Sequence, residues 1–167
     1  MRVGLVHGRF QPFHNGHKAL IDKMLVECHL GVVLVGSADK RDRDNPFTRE
    51  QRQRMIIQSY QEAVRQSRLS VGANFDLSQS SDSWDILLKS CVLSLTGYEL
   101  TDVYAGPGYS LRWPNDTAVH QQPRVGGITA SLIRSSLRGG ASVESLADYI
   151  PTATLLIMKD EWHLIFS

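Results

Sequence analysis

His14 and His17 stand three residues apart in the segment Gly8-Arg9-Phe10-Gln11-Pro12-Phe13-His14-Asn15-Gly16-His17. The glycines and Pro12 set a rigid turn in which the backbone can approach a ligand closely. The two imidazoles fall at a helix entrance, where free N–H groups and the helix dipole favour anions. Arg9 adds a planar fork suited to phosphate oxygens. Such a set can hold a polyphosphate and steady the charge that builds as one phosphoryl group is displaced. The plainer alternative is that both histidines cap the helix or belong to the core. A zinc site is a poorer reading, because no third ligand follows at a suitable spacing.

Two further segments carry polar chemistry. Lys40 to Arg52 holds five basic and three acidic residues around Asn45-Pro46-Phe47-Thr48, which by itself reads equally as a solvated charged loop. Gly127-Ile128-Thr129-Ala130-Ser131-Leu132-Ile133-Arg134 is a small-residue helix start with hydroxyls and an arginine about one turn in. Free N–H groups there, with Arg134, can grip the β and γ phosphates of a nucleotide. An ordinary capped helix with a surface arginine is the alternative.

The elements that must position these segments alternate from the first residues. Val3 to His7 and Val32 to Gly36 are short apolar runs that suit buried strands. Between them, Leu20, Ile21, Met24, Leu25 and Cys28 recur at helical spacing over 16–28. Thr48 caps a helix whose stripe includes Met55, Ile56, Tyr60 and Val64. Leu69 to Phe75 is a weaker strand, and Asp82 to Leu95 a helix carrying Trp84, Leu87, Leu88, Cys91, Val92 and Leu95 on one side. Asp102 to Ala105 is a strand, 109–127 is loop-rich with a short strand near Val119 to Gln122, and Thr129 to Leu137 is a helix closed by Gly139-Gly140. From Ser142 to about Met158 the chain reads as helical, broken at Pro151. This order predicts an α/β fold, a doubly wound parallel sheet with helices on both faces. Ligands in such sheets bind beyond the carboxyl ends of the strands, so the loops 8–16, 36–47 and 106–112 are the ones to watch.

The segments GRFQPFHNGH at 8–17, NPFT at 45–48 with Arg52, VYAG at 103–106 and ITASLIR at 128–134 together resemble the HxGH nucleotidylyltransferase superfamily. The resemblance runs end to end and is nearest to archaeal-type nicotinamide-mononucleotide adenylyltransferases. It implies a Rossmann-like nucleotidylyltransferase fold in a single domain over 1–167, with a C-terminal helical segment from about 128 packed on it. It also implies transfer of AMP from ATP to nicotinamide mononucleotide, giving NAD and pyrophosphate. Mg²⁺ or a similar divalent cation is implied through the ATP phosphates, with no protein metal ligand named. By the same carry-over, His14, His17 and Arg134 are catalytic, with His17 the more direct. Gly8, Arg9, Phe10, Gly16, Gly106 and Ser131 join them around ATP. Asn45, Phe47, Arg52 and Trp84 are the candidates for the mononucleotide side, Trp84 as the ring that stacks on the pyridine; a core tryptophan on an amphipathic helix is its alternative.

Some positions depart from the family pattern. Relatives often carry a basic residue before the Asn-Pro-Phe triplet, where this chain has Asp44, so Arg43 or Arg41 is left to substitute. Gln51 stands where relatives have Glu, and Thr-Ala-Ser replaces Ser-Gly-Thr while keeping hydroxyls. Rival readings are an adenylyltransferase acting on nicotinate mononucleotide or phosphopantetheine, and a non-catalytic nucleotide sensor.

Composition bounds the rest. With 18 Lys+Arg against 17 Asp+Glu among 167 residues, the chain lacks the basic field that duplex nucleic acid requires. No apolar run is long enough for a membrane span and no signal peptide opens the chain, so a cytoplasmic location is expected. Cys28 and Cys91 are too few and too far apart for a disulfide framework and read as buried small hydrophobes. Superfamily members of this kind commonly assemble, so a homo-oligomer is expected.

Overall fold

A computed structural model describes residues 1–77 and 83–165. Five strands, β1 (Val3–Gly8), β2 (Leu30–Val35), β3 (Leu69–Ala73), β4 (Asp102–Ala105) and β5 (Ala118–Gln121), form one sheet in the order β3-β2-β1-β4-β5. Every pairing is parallel, with Val3 opposite Leu30 and Leu5 opposite Val103. The chain first winds outward from β1 through β2 to β3, then returns to the other side of β1 at β4. That reversal opens a crevice beyond the ends of β1 and β4, where strand carboxyl termini present loops.

Alternation along the strands divides the core into two layers. Val6, Val33 and Val35 face α1 (Asn15–Glu27), where Ile21 and Met24 are fully buried. Val3, Leu5, Val32 and Leu34 face α4 (Trp84–Thr96) and meet Leu88 and Val92. Helices therefore cover both faces, as the order of elements predicts. The expected start of α4 at Asp82 lies outside the described residues. Of the side expected to carry its apolar residues, only Leu88 and Val92 are fully buried: Trp84, Leu87 and Cys91 are half-buried and Leu95 is exposed. Cys28 is buried at the end of α1, with Sγ 3.4 Å from the Tyr104 hydroxyl.

Two other expectations are modified. The helix capped by Thr48 does not run through Tyr60: α2 (Arg49–Ser59) ends there and α3 (Gln61–Arg65) follows. Tyr60 leaves helical geometry, and its hydroxyl donates to Lys18 O at 3.1 Å and Asp22 Oδ1 at 2.7 Å, anchoring the corner to α1. The connection from β4 to β5 is a loop, as expected, and its Tyr109, Leu111 and Trp113 pack on the second core layer. After α5 (Ala130–Arg138) the chain makes one 3₁₀ turn at Val143–Leu146, and α6 (Thr152–Ile165) continues past Met158. Glu161 of α6 accepts from Gln51 and Arg54 of α2, each at 2.7 Å.

Two buried polar side chains fix the loops around the crevice. Arg52, on α2, is completely buried. Its Nη1 donates to Arg9 O and Gly36 O at 2.7 Å, Nη2 to Ser37 O at 3.1 Å and Nε to Thr48 O at 3.2 Å. One guanidinium thereby joins the loop after β1, the loop after β2 and the start of α2. Gln11 makes the second tie: Nε2 donates to Phe47 O at 3.0 Å while Oε1 accepts the Phe47 N–H at 2.9 Å. Arg52 is accordingly corrected from mononucleotide ligand to internal clamp, because its N–H groups are directed at backbone carbonyls.

Arg52→Met, similar in length but without donors, leaves these carbonyls unpaired in a buried region. The expected cost is about 3 kcal/mol of unfolding free energy, read as a lower urea midpoint at unchanged slope. A midpoint equal to wild type would show that the clamp does not hold the loops.

Candidate functional site

The segment after β1 becomes a helix cap made of imidazoles. His14 is the N-cap of α1, and its Nδ1 accepts the Gly16 N–H at 3.0 Å. Nδ1 of His17 in turn accepts the His14 N–H at 3.3 Å, completing a reciprocal capping box. A Cβ on residue 16 would stand 2.9 Å from His14 Cε1, so only glycine lets the ring lie this close to the backbone. Capping and cavity-lining roles are thus combined in the same two side chains. An imidazole whose Nδ1 accepts a backbone N–H carries its proton on Nε2. Both rings are therefore neutral Nε2–H donors.

Their surroundings reinforce that state. The rings of His14 and His17 stack with centroids 3.7 Å apart, and Phe10 meets His17 edge-on at 4.7 Å. Phe13 stacks on the same imidazole at 6.1 Å. Burial, then the nearby Arg124 charge, pushes His14 down to about 4. Burial, followed by His14 itself, holds His17 well below the ordinary histidine value. Phe10 adopts φ 52°, a conformation uncommon for an aromatic residue, in placing its ring there.

A cavity of about 320 Å³ opens at the β1/β4 reversal. Gly8, Arg9, Phe10, His14, Gly16 and His17 line it from the first loop, Gly106 from the end of β4, and Ser131 and Arg134 from α5. All nine residues expected on the ATP side thus share one cavity. Thr129 caps α5 by accepting the Leu132 N–H at 3.1 Å, which leaves the first N–H groups of this helix at the cavity wall. Arg134 is nearly buried: Nη1 donates to Gln11 O at 2.9 Å, Nη2 to Ser131 Oγ at 3.3 Å, and Nε has no partner. Burial and then the Arg9 charge lower its basicity.

The four residues expected on the mononucleotide side are not gathered in the same way. Phe47 is a core residue, buried and 5.7 Å from the Trp162 ring, because Gln11 pins its backbone inward. This is a second correction. Asn45 is buried, and its Oδ1 receives a long 3.5 Å contact from Arg9 Nη1, so it positions Arg9. Trp84 is half-buried against the second core layer, 5.8 Å from the His7 ring. Asp44, where a basic residue was expected, lies 3.9 Å from Arg138 of α5, which also donates to Arg43 O.

His7, Gln11, Tyr109, Gln122 and Arg124 also line the cavity and were not singled out from the sequence. Gln11 carried a signal, lying between the marked Phe10 and Pro12. Arg124 had none beyond its charge in a loop. Among the described residues no group of three or more His, Cys, Asp or Glu could hold a metal ion. The donor set is imidazole and guanidinium, which suits an anion.

Residues 5–103 match the family model described as Cytidylyltransferase-like. A 60-residue stretch is 50% identical to a protein of Methanocorpusculum labreanum named nicotinamide-nucleotide adenylyltransferase, covering 35% of this chain and 36% of that one. The protein of the same name from Methanococcus aeolicus is 46% identical over 56 residues, 33% of each chain. The chain thus aligns over about a third of the length of these curated relatives. Among solved structures, the bifunctional NMN adenylyltransferase/ADP ribose pyrophosphatase of Francisella tularensis, complexed with AMP and a manganese ion, is similar with a TM-score of 0.79. Identity is 20%, over 98% of this chain and 50% of that one. The NadR protein in complex with NAD and AMP-PNP has a TM-score of 0.59 at 20% identity, over 83% and 43% of the two chains. These likenesses are of fold.

Both site imidazoles bind a proton less readily in the folded chain than in the unfolded one. As pH falls below the ordinary value of 6.5, the unfolded chain takes up protons first, so stability that is complete above 6.5 declines toward pH 4. Urea midpoints measured across this range should fall with acidification, and the His14 ring should titrate by NMR near 4. A His14 midpoint close to 6.5 would contradict the neutral capping box.

Proposed function

We propose that this chain, which belongs to the cytidylyltransferase-like family, is a nucleotidyltransferase that moves AMP from ATP to nicotinamide mononucleotide, giving NAD and pyrophosphate. The observation that carries the reading is the convergence of Arg9, His14, His17 and Arg134 on one cavity at the β1/β4 reversal. Three of these come from the segment that follows β1 and one from a helix more than a hundred residues later. A set of cations and N–H donors without an activated nucleophile fits a reaction whose nucleophile is supplied by the substrate.

In that reaction a phosphate oxygen of the mononucleotide attacks the α-phosphorus of ATP. The bond from that phosphorus to the bridging oxygen breaks, and pyrophosphate leaves with the electron pair. Arg9 and Arg134 bind the phosphates, and the Ser131 hydroxyl and first N–H groups of α5 orient the β and γ groups. The Nε2–H donors of His14 and His17 stabilise charge on the phosphoryl oxygens as it builds. Gly106, without a side chain at the cavity wall, leaves room for the adenine. Mg²⁺ or a similar divalent cation enters with ATP as part of the substrate, adding charge neutralisation; the chain's own donors are suited to the phosphates and not to the ion. Asn45 serves by holding Arg9, and Trp84 supplies the aromatic face for the pyridine. The proposed setting is cytoplasmic and the proposed assembly a homo-oligomer, for which light scattering is the direct measurement.

Purified protein given Mg²⁺, ATP and nicotinamide mononucleotide should release pyrophosphate and form NAD. His17→Ala should lower kcat by a factor on the order of 10² to 10³, the scale of losing a transition-state donor. Turnover with phosphopantetheine alone would reassign the acceptor. Binding of NAD with no pyrophosphate from any acceptor would favour a sensor.

A further inference from the structure

His7 ends the face of β1 that packs under α4, and it lines the cavity. Its ring lies 5.8 Å from that of Trp84, tilted by 40°. Nε2 is buried and has no partner at hydrogen-bonding geometry. It points at Gly36, where a Cβ would stand only 3.0 Å away. Asn74 Oδ1 is likewise buried without a partner, while Asn74 Nδ2 donates to Phe75 O at 3.2 Å and so fixes which end of the amide is the acceptor. Asn74 is also the side chain whose hydrogen bonding acts on the His7 imidazole. The two orphaned atoms complement each other, one able to carry a proton and one able to accept it. A proton carried on Nε2, the nitrogen on the buried side beside Gly36, would leave Nδ1 with its lone pair as the ring nitrogen able to meet a ligand.

An acceptor in that position excludes several partners. Phosphate and carboxylate oxygens are themselves acceptors, so Nδ1 does not serve the polyphosphate. What it requires is an N–H or O–H. Burial keeps the ring neutral, against the opposing influence of Asn74 and Asp76. The Asp76 carboxylate, held by Ser37 Oγ at 2.9 Å and by Lys40 at 2.5 Å, places a further anionic group on this side. Beside an aromatic face suited to a pyridine, the matching donor is a carboxamide N–H. A pyridine carboxylate at the same place would meet a lone pair and have nothing to donate.

We infer that His7, backed by Asn74 and set against Trp84, is a specificity-determining residue that selects the nicotinamide over the nicotinate form of the mononucleotide by accepting a carboxamide hydrogen bond at Nδ1. This rests on the adenylyltransferase reading above and names the acceptor form that the same site takes. The selection follows from the asymmetry of hydrogen bonding: a buried acceptor facing an acceptor is penalised, whereas facing a donor it is satisfied.

The test compares kcat/KM for nicotinamide and nicotinate mononucleotides, each with saturating Mg²⁺-ATP. Wild type should favour the amide by at least about tenfold, and His7→Leu should lower that ratio by about tenfold, chiefly through KM for the amide. His7→Gln, which retains a carbonyl acceptor, should keep most of the preference. An equal or acid-favouring ratio in wild type, or an unchanged ratio in His7→Leu, overturns the inference while leaving the adenylyltransferase reading intact. Turnover with neither mononucleotide overturns both. Long-range ¹⁵N–¹H NMR of the wild-type ring gives a readout independent of activity and of variant folding: the proton is expected on Nε2, and a proton on Nδ1 refutes the selection.

Discussion

The Arg52 guanidinium is the interaction on which the cavity's shape depends. Parallel strands end at the same edge of a sheet, and the loops that leave them expose carbonyls which no neighbouring strand can pair. Here the carbonyls of Arg9, Gly36 and Ser37 converge on one side chain from α2. Burial brings that guanidinium down to about 10, so it keeps its charge at neutral pH and its hydrogen bonds are charge-assisted. The consequence reaches Arg9, whose carbonyl is held by Arg52 and whose guanidinium lies beside Asn45. A residue that does not line the cavity thus sets where two that line or border it can be.

The cavity's electrostatics follow from the same economy of partners. Arg134 and His14 each lose basicity to burial first and to a neighbouring cation second, Arg9 in one case and Arg124 in the other. Mutual repulsion of this kind is relieved by a bound anion. The imidazoles avoid adding to the repulsion because their Nδ1 atoms are committed to backbone N–H groups. They offer donors without adding charge.

Legibility in the sequence followed the locality of the forces. The Thr48 and Thr129 caps, the β4 boundaries at Asp102 and Ala105, and the paired histidines at a helix entrance are set by neighbours a few residues away. The residues that line the cavity from the first loop and α5 were legible because their types and their places at strand and helix ends coincide. Phe47 and Arg52 were misread for the opposite reason. A basic residue and an aromatic near a cleft look alike in sequence whether they face a ligand or the protein, and only Gln11 and the three converging carbonyls decide it. His7 carried no signal either, since a strand-end histidine gains meaning only from Asn74 and Trp84, which lie far along the chain.

Away from His14 and Arg134, a second polar network bears on the same cavity through the sheet. Against burial, which pushes the carboxyl up, hydrogen bonds from Arg2, Thr101 and His120 hold Asp102 below the ordinary carboxylate range. His120 of β5 lies 2.8 Å from Asp102 and stacks on Tyr104 at 4.7 Å. β5 is an edge strand reached without a crossover helix, and three of its four residues are exposed, so apolar burial alone gives it little purchase. The His120 contacts supply a side-chain tie between β4 and β5 that backbone pairing alone lacks. Immediately beyond β5 the chain passes Gln122 and Arg124 along the cavity wall before Thr129 starts α5. Anchoring β5 therefore limits where the Arg124 charge and the first N–H groups of α5 can stand, which links the Arg2–Asp102–His120 network to the cavity's geometry.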